Sequence, residues 1–282
     1  MAELLKGAPA ASAITEELIP RARALKQAGI TPCLAILRVG ERADDLAYER
    51  GALKRCEKVG ITVRQFVLPA DASQSELLAA IREINTDGSI HGCLMFRPLP
   101  KSLDEKAACN ALDPAKDIDG ITIGSMAKIY SGTGEGYAPC TAQSCMELLK
   151  YYGIETAGKR ATIIGRSLVT GRPVALLLMA ADATVTICHT KTQDLPVITR
   201  DADIVVIATG ASEFFGSEFF RPGQTILDVG INWSEAKQKL VGDVDFDTVA
   251  PVVSRISPTP AGVGSVTTAV LCKHVIEAAE KT

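Results

Sequence analysis

ATIIGRSLVTGRPVALLLMA, residues 161–180, moves from a short apolar run through a glycine turn into a helical pattern. Residues 161–165 read as a buried strand, GRSLVTGRP as the turn, and Pro173–Ala180 as the helix. This order offers free backbone N–H groups and the positive end of a helix to a pyrophosphate. Gly165 permits the tight turn, Gly171 lets the backbone come close, and Pro173 suits a first helical turn. The full GxGxxG fingerprint is absent, so a plain βαβ connection remains the competing reading of this stretch.

Downstream, strand signals recur at Ala183–His189, Asp203–Thr209 and Thr225–Gly230, and the last two run into glycine, at Gly210 and Gly230, where open α/β sheets hold ligands. His189, Thr190, Thr209, Gly230 and Ile231 therefore join Gly165, Arg166, Ser167, Gly171 and Pro173 as candidate cofactor residues. An acid after the second strand would favour NAD. Here no carboxylate follows before Asp194, whereas Arg166, Thr190 and Lys191 suit an extra phosphate, so NADP is expected ahead of NAD.

Upstream, helix and strand patterns alternate: a helix over Ser12–Ala28 with a possible kink at Pro20, a strand at Cys33–Leu37, and a helix over Leu46–Val59. A strand at Thr62–Val67, a helix over Ser75–Ile84 capped by Ser73 or Ser75, and a strand at Ile90–Phe96 continue the series. Alternation of this kind predicts a parallel sheet with crossover helices. The periodicity lapses around Thr122–Pro139, which places a domain junction there, followed by a helix over Ala142–Tyr151. The expectation is an α/β protein of two domains: residues 1–138 completed by a last helix in 266–282, and residues 139–265.

At 282 residues, with 47% hydrophobic and 22% charged side chains, the chain suits two globular domains with cores of their own. A net charge of -3 and no basic stripe argue against nucleic acid. No apolar run is long enough to span a bilayer and residues 1–7 carry no signal-peptide core, so a cytosolic location is expected. The eight cysteines are scattered without a CxxC and read as buried reduced thiols, and the three histidines lie far apart, so no metal is expected.

Seven segments stand in order: VGERADDLAYERGALKRCEKVG with PAKDIDG in the first half, then PCT, GRSLVTGRP with TVTICHTKT, DVGIN, and SPTPAGVGSVT. In these the chain resembles the methylenetetrahydrofolate dehydrogenase/cyclohydrolase family over nearly its whole length. The resemblance implies a Rossmann-like NADP domain, a folate cleft between the two domains, and a homodimer through the cofactor domains. It also implies two coupled reactions on tetrahydrofolate derivatives. Hydride leaves the one-carbon bridge for the nicotinamide, and water then opens the methenyl cation to the formyl derivative.

By the same resemblance Tyr48 packs on the folate, Asp119 binds the pterin, and Pro260, Gly262 and Gly264 belong to a substrate-binding loop. Two positions depart from the family pattern. The lysine expected four residues after the tyrosine is Ala52, and the glutamine expected to tune it is Phe96 in GCLMFRPLP. Lys54 lies about 200° around the helix from Ala52, and Arg55 shares its face but stays protonated, so neither replaces a base. Asp45 is the remaining substitute, with an N-cap or solvated loop acid as the commoner reading. Where the family has a glycine pair this chain has Ala261-Gly262, strained if the first position needs positive φ.

General acid–base help is worth about 10²–10⁴-fold, so hydrolysis is expected to be weak or lost while NADP-dependent oxidation persists. The alternatives are a fully bifunctional enzyme using Asp45 and, from another class, a non-catalytic folate- or nucleotide-binding protein. A generic dehydrogenase for another small substrate is a weaker fallback, since no catalytic histidine or Ser-Tyr-Lys set is evident.

Overall fold

A computed structural model describes residues 2–282. In chain order the elements begin with β1 (Glu3–Leu4), α1 (Gly7–Gln27), β2 (Cys33–Val39), α2 (Ala43–Val59), β3 (Thr62–Leu68), α3 (Gln74–Thr86) and β4 (Gly92–Met95). Next come α4 (Glu105–Ala111), α5 (Ile123–Ser131), α6 (Cys140–Tyr151), β5 (Arg160–Ile164), α7 (Gly171–Ala180), β6 (Thr184–Cys188), α8 (Leu195–Asp201) and β7 (Ile204–Ile207). The chain closes with β8 (Thr225–Asp228), β9 (Asn232–Ser234), β10 (Lys239–Val241), α9 (Phe246–Val249), β11 (Arg255–Ile256) and α10 (Thr267–Ala279).

Two compact units result. The first, residues 2–11 with Thr141–Thr267, holds a wholly parallel six-stranded sheet in the order β1-β11-β8-β7-β5-β6. Strands β7 and β8 are buried throughout, as central strands covered on both faces must be, whereas β6 is an edge and mostly exposed. The antiparallel hairpin β9–β10 stands apart from this sheet, with Leu240 opposite Trp233.

The second unit, Ser12–Cys140 with Thr268–Thr282, is built on the parallel sheet β3-β2-β4. All seven residues of β2 are buried because β2 is the middle strand. Its core gathers Leu37, Leu77, Ile81, Ile84 and Met95 from β2, α3 and β4. Helix α3 starts at the serine anticipated: the Ser73 hydroxyl accepts from the Glu76 N–H while the Glu76 carboxylate accepts from the Ser73 N–H.

Three expectations change. Residues 2–11 cluster with the six-stranded sheet rather than with the first half, because Glu3 and Leu4 pair with Arg255 and Ile256 of β11. Helix α1 runs unbroken through Pro20, and the segment expected as a junction carries α5, capped by the Thr122 hydroxyl accepting from the Ser125 N–H. Among the described residues no helix is long and apolar enough to cross a membrane, and all eight cysteines are buried with no disulfide among them.

Candidate functional site

In the six-stranded unit, β5 delivers the chain to Gly165, whose φ of 122° is a conformation side chains rarely adopt. A Cβ there would lie 2.3 Å from the Ala208 carbonyl oxygen. A Cβ on Gly171 would lie 2.2 Å from the Gly165 carbonyl oxygen and 2.9 Å from the Arg166 nitrogen, so two backbone segments touch where the helix begins. The Ser167 hydroxyl accepts from the Thr170 N–H at 3.1 Å and the Gly171 N–H at 3.4 Å, which ties the turn to the first residues of α7.

Beside this turn lies a cavity of about 580 Å³, whose polar lining includes Arg166, Ser167, His189, Thr190 and Thr209. That volume suits a nucleotide-sized ligand. Phe214 and Phe215, which the sequence reading missed, supply an apolar wall, and no carboxylate lines the space. His189 Nδ1 accepts from the Lys191 backbone N–H, while the Thr192 hydroxyl accepts from the His189 backbone N–H. Pro173 is buried within α7 and lines no part of the cavity; its contribution is to the helix start.

A smaller cavity of about 140 Å³ in the same unit is lined by Asp228, Gly230, Ile231, Pro260, Gly262 and Gly264, among others. Ala261 there has φ of 82°, so the strained outcome foreseen for an alanine in this loop is the one observed, at a cost of roughly 1–2 kcal/mol. The lip of this cavity is knitted by two buried aspartates. Asp228 accepts from the N–H groups of Gly230, Asp243 and Val244. Asp243 accepts from Thr209, Gly210 and the Asn232 amide.

Burial pushes the Asp228 carboxyl up to about 7, against the pull of its three N–H donors. The folded state therefore binds an extra proton between about pH 4 and pH 7, and the stability Asp228 contributes when protonated is lost as pH rises through that window. Raising the pH from 4 to 8 should narrow the Tm advantage of the native chain over Asp228→Asn, which cannot ionise. A gap that stays constant across the titration would refute this.

The remaining candidates lie in the other unit. Helix α2 turns Asp45, Glu49, Ala52, Cys56 and Val59 inward as one stripe. Ala52 is fully buried, and Phe96 sits edge-on to Tyr48 with ring centroids 6.1 Å apart. Lys54 is exposed, and Arg55 donates to the hydroxyls of Thr15 and Thr268, so neither serves the stripe. Asp119 is half-buried, accepts from the Cys140 N–H at 3.2 Å, and has its carboxyl pushed up by burial. Asp117, two residues earlier, is wholly buried and caps the Ile121 and Thr122 N–H groups, a structural task.

The reading of Asp45 as an N-cap or solvated acid is corrected. Arg42 occupies the cap position, so the helix starts earlier than expected and Asp45 falls on its inner stripe, only 9% exposed. Its carboxylate accepts no hydrogen bond among the described residues, and burial pushes it above its ordinary value. Next to it the sequence reading missed a buried ion pair: Arg38 Nε lies 3.0 Å from Glu49 Oε2, and Gln65 donates to the other Glu49 oxygen.

Comparison with known proteins bears on both units. The profile of the tetrahydrofolate dehydrogenase/cyclohydrolase catalytic domain matches residues 5–119, and that of the family's NAD(P)-binding domain matches residues 139–282. A relative from Carboxydothermus hydrogenoformans, named bifunctional protein FolD, is 50% identical over 99% of this chain and 98% of its own. A crystal structure of the bifunctional FolD methylenetetrahydrofolate dehydrogenase/cyclohydrolase from Campylobacter jejuni superposes with a TM-score of 0.96 at 38% identity, covering 100% of this chain and 99% of that one. The Trypanosoma brucei enzyme, solved with NADP and an inhibitor, has a TM-score of 0.92 at 32% identity over 99% and 98% of the two chains.

Proposed function

The chain belongs to the tetrahydrofolate dehydrogenase/cyclohydrolase family, and from that premise we propose that it oxidises methylenetetrahydrofolate with NADP and hydrolyses the methenyl product. The observation that carries the first step is the Gly165–Gly171 turn beside a nucleotide-sized cavity without a carboxylate. Arg166, Ser167, His189 and Thr190 would hold the adenosine end, and the absence of an acid there favours the extra phosphate of NADP over a bare ribose. NADP, when bound, accepts the hydride. Gly230, Ile231, Pro260, Gly262 and Gly264 would border the reacting end. Tyr48 and Asp119 would orient the folate, since hydride loss needs positioning rather than a base.

The second step needs a proton acceptor for the attacking water and a proton for the departing nitrogen. With Ala52 buried and Phe96 apolar, Asp45 would take that proton, a reading supported by its position on the same inward stripe as Ala52. Both activities in one chain is also what the names of the relatives favour. A second reading, oxidation with hydrolysis weak or lost, keeps a specific observation on its side: buried Ala52 on the stripe and the Phe96 ring against Tyr48 stand where the family has an amine and an amide.

The deciding experiment follows NADPH formation from methylenetetrahydrofolate and, separately, loss of methenyltetrahydrofolate. Both should exceed the uncatalysed rate. Hydrolysis at the spontaneous rate would leave the second reading, and cofactor binding without NADPH formation would leave a non-catalytic binder. A homodimer through the cofactor unit is part of the same proposal, supported by the open edge of β6 with Ile187 and Met179 exposed. Light scattering on the assayed sample should give twice 29.8 kDa, and a monomer mass would remove that element.

A further inference from the structure

Arg38 is an unusual occupant of its position. It stands near the end of β2, in a strand otherwise apolar, and is only 9% exposed. Its guanidinium donates to the Gly40 carbonyl at 2.6 Å, approaches Glu41 at 3.8 Å and pairs with the buried Glu49 at 3.0 Å. Glu49 follows Tyr48 directly and lies one helical turn from Asp45 on one side and from Ala52 on the other. Buried Arg–carboxylate pairs are weak contributors to stability, because apolar residues of like volume often serve as well or better. A role in stability alone is thus a poor account of this pair.

The charges facing Asp45 come from two elements and the turn between them. The positive charges of Arg42 and Arg38 favour its ionised form, and the negative charges of Asp44 and Glu49 oppose it. Two carboxylates a turn apart on a dry stripe resist ionising together unless a cation answers one of them. We infer that Arg38 is a positioning residue for the water step: by pairing with Glu49 it keeps that second carboxylate neutralised, so that Asp45 is free to ionise and accept the proton. This rests on the proposal that Asp45 is the base, and the test separates the two.

The test reads the pH profile of methenyltetrahydrofolate hydrolysis in the full chain, with NADPH formation as the check that each variant is folded. A base works above its own pKa, so the acid limb reports Asp45. Arg38→Gln should move that limb upward by on the order of one pH unit, Glu49→Gln should move it downward, and Arg38→Met with Glu49→Gln should return it near the native position. If Arg38→Gln does not fold, the other two variants carry the test. An acid limb that stays in place in Glu49→Gln overturns the inference. Asp45→Asn separates the premises: native hydrolysis in that variant sinks the Asp45 reading itself, whereas lost hydrolysis with an unmoved limb in Glu49→Gln sinks only the role of Arg38.

Discussion

Replacing Gly171 by valine is expected to weaken NADP binding at least 100-fold and to abolish NADPH formation with it. The new Cβ would fall 2.2 Å from the Gly165 carbonyl oxygen, 2.6 Å from its carbon and 2.9 Å from the Arg166 nitrogen. All three are backbone atoms, so no side chain can swing aside. Relief must come from moving the turn that carries Arg166 and Ser167, and these residues line the cavity. A loss of 100-fold corresponds to about 2.7 kcal/mol, less than a well-placed set of N–H groups at a helix start contributes to a pyrophosphate together with its flanking contacts. Gly88 is the control: a Cβ there meets nothing within 4 Å, so Gly88→Ala should bind NADP as the native chain does. Calorimetric titration with NADP reads both. Native affinity in Gly171→Val would mean that the ligand does not use this turn.

Much of this turn was readable in advance because its determinants are local. A strand of five residues, two glycines six apart and a proline in the first helical turn all act within one stretch of chain. The Ser73–Glu76 capping box was legible for the same reason. What escaped reading depends on partners far away in sequence. Strand β1 is two residues long and exists because β11, some 250 residues later, offers it a parallel edge. The β9–β10 hairpin has three-residue strands and is held by Asp228 and Asp243, whose bonds to Gly230, Asn232, Thr209 and Val244 no local pattern announces. Helix α5 hid in a stretch rich in Gly, Ser and Tyr.

The inward stripe of α2 shows the same division with more consequence. Tyr48, Ala52 and Phe96 could be singled out by the resemblance to the family, but the surroundings of Ala52 could not. Starting α2 at Leu46 left Asp45 outside the helix as a cap. The helix starts at Ala43, and that shift of three residues turns Asp45 from solvent to the inner face. Arg38 closed an apolar run and gave no sign that it answers Glu49, eleven positions later on another element. The sequence thus displayed the missing lysine, and the packing displays what stands in its neighbourhood.

Asp45→Asn is accordingly expected to cut methenyltetrahydrofolate hydrolysis by about 10²–10⁴-fold, the usual worth of a positioned base, while NADPH formation stays within an order of magnitude. The amide keeps the size of the side chain, and no hydrogen bond is lost because the carboxylate accepts none among the described residues. Stability should therefore change little. Ala52→Lys makes the converse comparison. A helical side chain leans back over the preceding turn, so a lysine at this fully buried position would reach toward Glu49 and compete with Arg38 for it. One cation too many in a dry stripe should cost several kcal/mol and lower the Tm by roughly 5–10 °C, with no gain in hydrolysis. The two variants answer each other. Hydrolysis that survives in Asp45→Asn, or that rises in Ala52→Lys with Phe96→Gln from a native chain no faster than water, would transfer the argument to the reading in which this chain oxidises its substrate and leaves the water step undone. Hydrolysis that falls in the first variant and fails to rise in the second locates the base about two turns before the tyrosine's missing partner, on the carboxylate that the early start of α2 turned inward.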